Sequence, residues 1–138
     1  MGLNHKQIGE VAERTGLSLR TIRYYEEVGL ITPSARSQGG FRLYTESDIA
    51  RLMLVKQMKP LGFSLEETRD LLDVVDALDG DAATGDERSE LLERLTMFQA
   101  AADERCASLR TQLVMAEEFA ANLRRETRQR RREVKSTR

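Results

Sequence analysis

After Gly85 the chain runs 53 residues to its end without another glycine or proline. Nothing there breaks a helix, so the sequence predicts one long helix over about residues 87–130. Along it Leu91, Leu95, Phe98, Ala102, Leu109, Ala116, Phe119 and Leu123 recur in steps of four and three once Arg105 and Gln112 are admitted to the series. At those two polar places the next residues, Cys106 and Leu113, can take over the contact. A helix this long cannot bury such a stripe against the small domain before it. A second copy of the chain is the economical cover, and the expected assembly is a two-stranded coiled-coil homodimer.

The residues before the long helix divide at glycines and prolines. Ile8, Val11 and Ala12 recur at helical spacing and end at Thr15-Gly16. Ser18 can cap a second helix through about Glu27, with Leu19 and Ile22 facing inward and Gly29 ending it. Two short helices joined by a glycine turn make a helix-turn-helix candidate. In SARSQGGFRLY, Gly39-Gly40 reads as a hairpin tip and Phe41 and Leu43 alternate as a short strand would, giving a wing. Thr45 or Ser47 can cap TESDIARLMLVKQM, with Ile49, Leu52, Met53 and Val55 toward a core, until KPLGF breaks it. Ser64 starts a further helix carrying Leu65, Leu71, Leu72 and Val75. The expected fold is mainly α: a winged helix-turn-helix DNA-binding domain over residues 1–75, an acidic linker over 76–86, the coiled-coil dimerisation helix over 87–130, and a disordered basic tail over 131–138.

Charge follows the same divisions. The formal net charge is −1, but residues 1–70 hold ten basic against nine acidic residues, 71–123 four against twelve, and 124–138 eight against two. The two ends can therefore approach phosphate, while the middle cannot. The tail reads equally as a strip along flanking phosphate or as a solvated helix end. One cysteine, Cys106, excludes an intrachain disulfide framework and fits a reducing cytoplasm. No apolar run is long enough to span a bilayer and the start carries no signal-peptide core, so a cytoplasmic location is expected. No nucleophile-base pair, phosphate loop or metal cluster is legible, and the single histidine is His5. A calcium-loop count from Asp79 puts Ala83 and Thr84 where an oxygen ligand and a glycine are needed. Neither an enzyme, a cofactor nor a metal site is expected.

All three tyrosines, Tyr24, Tyr25 and Tyr44, fall in the first third of the chain among arginines. A recognition helix must offer short polar and basic groups to base edges and phosphates, as Ser18, Arg20, Thr21 and Arg23 do. A flanking tyrosine can pack its ring on the domain and donate its hydroxyl to a phosphate oxygen.

The stretches IGEVAERTGLSLRTIRYYEEVGLI, PSARSQGGFRLYTESDIARL and KPLGFSLEETRDLL together resemble the DNA-binding domain of the MerR family of bacterial transcription regulators, over about residues 7–72. The resemblance implies a winged helix-turn-helix with a helical second wing and an antiparallel coiled-coil dimer. It also implies a palindromic site in double-stranded promoter DNA, between elements too far apart for RNA polymerase, which the dimer realigns by bending and undertwisting the spacer. Matched residue by residue, Arg20, Thr21 and Arg23 face the groove and phosphates, and Tyr24 and Tyr25 are the paired tyrosines. Arg36, Arg42 and Tyr44 belong to the first wing, and Lys56 and Lys59 precede the second. Metal-sensing relatives place cysteines at the start of the dimerisation helix and in a loop after it. Here Asp86-Glu87 stands at the start and no cysteine follows Cys106. An unidentified small-molecule effector stays open, as do two other readings: an effector-free architectural or developmental DNA-binding regulator, and a coiled-coil interaction adaptor.

Overall fold

The computed structural model describes residues 5–33 and 35–137. The chain divides into two compact units, residues 1–98 and 99–138. The first unit opens with β1 (Lys6–Gln7), α1 (Ile8–Thr15) and α2 (Leu19–Glu27), followed by β2 (Ala35–Arg36) and β3 (Arg42–Tyr44). Then come α3 (Glu46–Met58), a 3-10 turn over Lys59–Leu61, α4 (Leu65–Asp79) and the start of α5 (Gly85–Ser136), whose remainder forms the second unit.

Each helix boundary in the first unit has a local cause. The Ser18 hydroxyl accepts from the Thr21 amide at 3.0 Å and caps α2. Thr45 with Asp48, and Ser64 with Glu67, form reciprocal capping boxes at α3 and α4. Gly16 ends α1 in the left-handed region at φ 74°, its amide donating to the Ala12 carbonyl at 2.9 Å. A Cβ at that position would also stand 2.8 Å from Lys56 Nζ. Gly16→Ala is therefore expected to cost about 1 kcal/mol, read as a lower urea midpoint with unchanged slope.

The strands form one antiparallel sheet ordered β1-β3-β2, pairing Lys6 with Tyr44 and Arg36 with Arg42. The Gly-Gly hairpin and β3 lie where the sequence puts them, and Gly40 takes φ 82° at the tip. β1 was not legible, because two residues, Lys and Gln, carry no alternation to recognise. Below the sheet, Val11, Ile22, Tyr25, Leu30, Ile31, Tyr44, Ile49, Leu52, Val55 and Leu72 make one core.

Four expectations on the core face are corrected. Leu19 and Leu65 are exposed, Met53 is half-buried, and α4 buries Val74 in place of Val75. The inward face of α4 is Thr68, Leu71, Leu72 and Val74, which keeps Leu71 and Leu72 of the expected series and changes its two ends.

Two further corrections concern boundaries. The linker expected over 76–86 shrinks to residues 80–84, because α4 continues to Asp79, with Asp76 held by Arg51, while α5 begins at Gly85. Thr84 supplies that start, its hydroxyl accepting from the Glu87 amide at 3.3 Å and its carbonyl from Arg88 at 2.8 Å. The tail expected to be disordered is helical to Ser136. Arg130 reaches Glu126 at 2.8 Å and Glu133 at 3.6 Å, pairs one turn apart, and Lys135 in the last turn suits the negative end of the helix dipole.

In the second unit the helix leaves Leu109, Leu113, Phe119 and Leu123 exposed, while Ala102 and Cys106 are half-buried. Leu91, Leu95 and Phe98 are half-buried within the first unit, where the Phe98 ring sits 6.4 Å from that of Phe63. Among the described residues, no helix is long and apolar enough to cross a membrane.

Candidate nucleic-acid interface

α2 buries Ile22 and Tyr25 and turns the opposite face outward. Arg20, Arg23 and Tyr24, at positions i, i+3 and i+4, share that face, and Tyr24 is 49% exposed. The spacing puts two guanidinium groups and one phenol on a single strip, which is the chemistry a groove or phosphate row accepts. Ser18 and Thr21 flank its start. Ser18 is committed to the cap and also donates its hydroxyl to Thr21 Oγ1 at 2.8 Å, so both fix the helix entry.

Lys59 joins the strip from the 3-10 turn. With Tyr24, Tyr25, Phe63 and Leu65 it lines a cleft of about 190 Å³. The Tyr24 and Tyr25 rings stand 5.8 Å apart at 54°, so the buried Tyr25 braces its exposed neighbour. Lys56, which is exposed, does not line this cleft. Its ammonium donates to the Thr15 carbonyl at 2.7 Å, placing a cation on the C-terminal end of α1.

The wing meets α2 at Glu26, a residue the sequence reading left without a role. Its side chain is 9% exposed and its Oε2 stands 2.6 Å from Arg42 Nε as an ion pair. Oε1 accepts from the Tyr44 hydroxyl. Removal from water pushes the Glu26 carboxyl above its ordinary value, against the opposing pull of Arg42, Arg36 and Arg23. Tyr44 is fully buried at this junction, so the expectation that it contacts DNA is corrected: its ring fills the core and its hydroxyl serves Glu26. Tyr44→Phe should lower stability by roughly 1 kcal/mol in urea unfolding. Sequence preference in DNA binding should not change, and a changed preference would return Tyr44 to the interface.

Of the wing arginines, Arg36 is exposed and reaches the Gly40 carbonyl at 3.1 Å, which braces the hairpin tip. Arg42 is half-buried with its charge already faced by Glu26. Two more arginines hold the segment after α2. Arg69 donates to the Val28 carbonyl, and Arg51 donates to the Leu30 carbonyl at 3.0 Å while pairing with Asp76. Nothing in the sequence pattern marks these long-range contacts. On the other side of the domain, Arg14 grips Glu46 through two hydrogen bonds of 2.6 and 2.8 Å and holds its carboxyl below the ordinary range. Among the described residues, no group of three or more histidine, cysteine, aspartate or glutamate side chains could hold a metal ion.

The family described as "MerR HTH family regulatory protein" matches residues 7–74, and "MerR, DNA binding" matches residues 49–138. The HTH-type transcriptional regulator CueR of Salmonella typhi is 38% identical over 111 residues, 80% of this chain and 78% of that protein. ZntR of Escherichia coli strain K12 is 47% identical over 68 residues, 49% of this chain and 48% of that protein. Among solved structures, HiNmlR, a MerR family regulator lacking the sensor domain and bound to promoter DNA, superposes with a TM-score of 0.64 at 26% identity, covering 85% of this chain and 88% of that one.

Proposed function

Because the chain belongs to the MerR family of DNA-binding transcription regulators, we propose that it works as a homodimer on a palindromic promoter element and distorts the spacer DNA so that RNA polymerase can engage both flanking elements. The observation that carries this reading is the outward strip of Arg20, Arg23 and Tyr24 on α2, flanked by Lys59 and Arg36. Within it, Arg20 reads base edges, and Arg23, Tyr24, Lys59 and Arg36 take phosphate, with Tyr25 as the brace. Two such strips on one duplex need two copies of the chain. The exposed apolar row Leu109, Leu113, Phe119 and Leu123 supports their pairing, with Ala102, Cys106 and Ala116 between larger residues.

Genome-wide footprinting followed by transcription with purified protein and polymerase tests the reading. Protected sites should be palindromes inside spacers longer than polymerase prefers, and the protein should raise transcription there more than on a shortened spacer. Protection of sites unrelated to promoters would reject it. HiNmlR, described as lacking the sensor domain, is solved bound to promoter DNA, which supports DNA binding by the parts it shares with this chain. Full activation with no added compound would reject an obligatory inducer and favour the effector-free reading, and a requirement for a small molecule would favour an effector.

A further inference from the structure

Alternate residues of a strand share a face, and on β3 Arg42 and Tyr44 both turn to one carboxylate, that of Glu26 in the last turn of α2. Oε1 accepts from the Tyr44 hydroxyl, and Oε2 stands 2.6 Å from Arg42 Nε. Arg42 Nε is itself buried, while the side chain as a whole is 38% exposed, so the solvent-facing part is the remainder. A guanidinium that turns Nε inward still has the donors of Nη1 and Nη2 for a second anion. The same strand carries the rest of the wing, because Arg36 on β2 pairs with Arg42. Stability does not account for a charge at this place. Burial raises the Glu26 carboxyl above its ordinary value against the pull of Arg42 on β3, Arg36 on β2 and Arg23 on α2. The folded domain therefore holds that proton more tightly than the unfolded chain does. The resulting stabilisation is full below the unfolded value and is lost as pH rises through the folded one, so the fold alone favours the uncharged form.

We propose that Glu26 is a positioning residue for DNA recognition, which holds the Nε side of Arg42 so that Nη1 and Nη2 meet a backbone phosphate, and which fixes the wing against the helix that reads the groove. The inference rests on the DNA-binding reading above and adds to it a residue that itself touches no DNA. A long side chain pinned before DNA arrives loses less rotamer freedom on binding than one that must be ordered by the phosphate. A planar guanidinium can face a carboxylate along one edge and a phosphate along another, which a lysine ammonium has no fixed geometry to do. Simple electrostatics points the opposite way. A carboxylate behind a phosphate-binding face weakens binding through its charge, so its neutralisation should tighten the complex. Positioning requires the neutral variant to bind more weakly, and the sign of one substitution separates the two accounts.

The test measures binding of the full chain to footprinted promoter DNA across a salt series, beside urea unfolding of the same samples. Glu26→Gln keeps the shape of the side chain. Its Oε1 can accept from Arg42 and its amide can donate to the Tyr44 hydroxyl, so the charge alone is removed. The urea midpoint should not fall, while affinity drops roughly tenfold on all sequences alike and the salt slope falls by about one. In an Arg42→Met background, which keeps the stem and lacks the phosphate contact, Glu26→Gln should have no further effect on binding. Arg42→Lys should bind as weakly as Arg42→Met. Unchanged or tighter binding by Glu26→Gln overturns the inference, as does an undiminished loss in the Arg42→Met background. Should glutamine lower the urea midpoint, Arg42→Lys decides: weak binding by a folded chain upholds the inference, and full binding overturns it. Each of these failures leaves the DNA-binding reading intact. No binding to promoter DNA by the unsubstituted chain overturns that reading and the inference with it.

Discussion

Leu109→Glu combined with Phe119→Glu is expected to yield a folded monomer whose operator affinity has fallen by roughly 10²- to 10⁴-fold. The two positions are 43% and 64% exposed in the chain and make no part of the core of the DNA-binding domain. Their replacement leaves that domain's packing alone and places four carboxylates in the seam of a dimer, where no cation lies on the stripe except Arg105. A monomer binds each half-site independently, and the loss equals the effective concentration that tethering had supplied. Leu95 is a poorer choice for this test, since it is half-buried within the first unit and its loss would mix folding with assembly. Sedimentation velocity and far-UV circular dichroism on the same sample decide the matter. A helical monomer in the unsubstituted chain, or a double variant that still dimerises, would remove the stripe from the interface.

Local signals made most of the fold legible. Helix ends written in a single residue and its third successor, as at Ser18, Thr45 and Ser64, lie where the sequence puts them, as do the turns at Gly16, Gly40 and Gly62. Such features depend on the backbone within one turn, and sequence carries that information directly. Features that depend on distant partners were not legible. β1 is defined only by its pairing with β3. Which residues end the buried face of α4 is set by what it packs on, and burial there falls on Val74 in place of Val75. The site divides in the same way. Arg20, Arg23 and Tyr24 share an exposed face because helical periodicity alone requires it. Tyr44 left the set because its partner, the Glu26 carboxylate, lies 18 residues away in sequence, and the bond of Lys56 to the Thr15 carbonyl, 41 residues away, was hidden for the same reason. Glu26 itself was hidden in plain view within YYEE, where an acidic residue beside a recognition helix looks like solvated surface until the wing folds against it.

Arg20→Ala is expected to cost roughly 1 to 3 kcal/mol of operator binding and to relax preference at one base pair in each half-site. Arg20 is the second residue of α2, and the amino-terminal end of a recognition helix is the part that reaches base edges. Arg23 and Tyr24 lie one turn further along, and Tyr24 shares the cleft with Lys59, which suits phosphate on the groove's rim. Arg23→Ala and Tyr24→Phe should therefore weaken all sequences alike, with Arg23→Ala reducing the salt slope by about one. Tyr25→Phe separates the brace from a direct contact, since its ring is buried and only a hydroxyl on phosphate could make its loss felt in binding. Binding measured against a library of single-base operator variants at two salt concentrations resolves these effects. Uniform weakening by Arg20→Ala would move that side chain to the phosphate row. If Tyr24→Phe and Tyr25→Phe both leave the salt titration unchanged, the paired rings pack against each other and the domain, and the base-reading strip on α2 rests on its arginines alone.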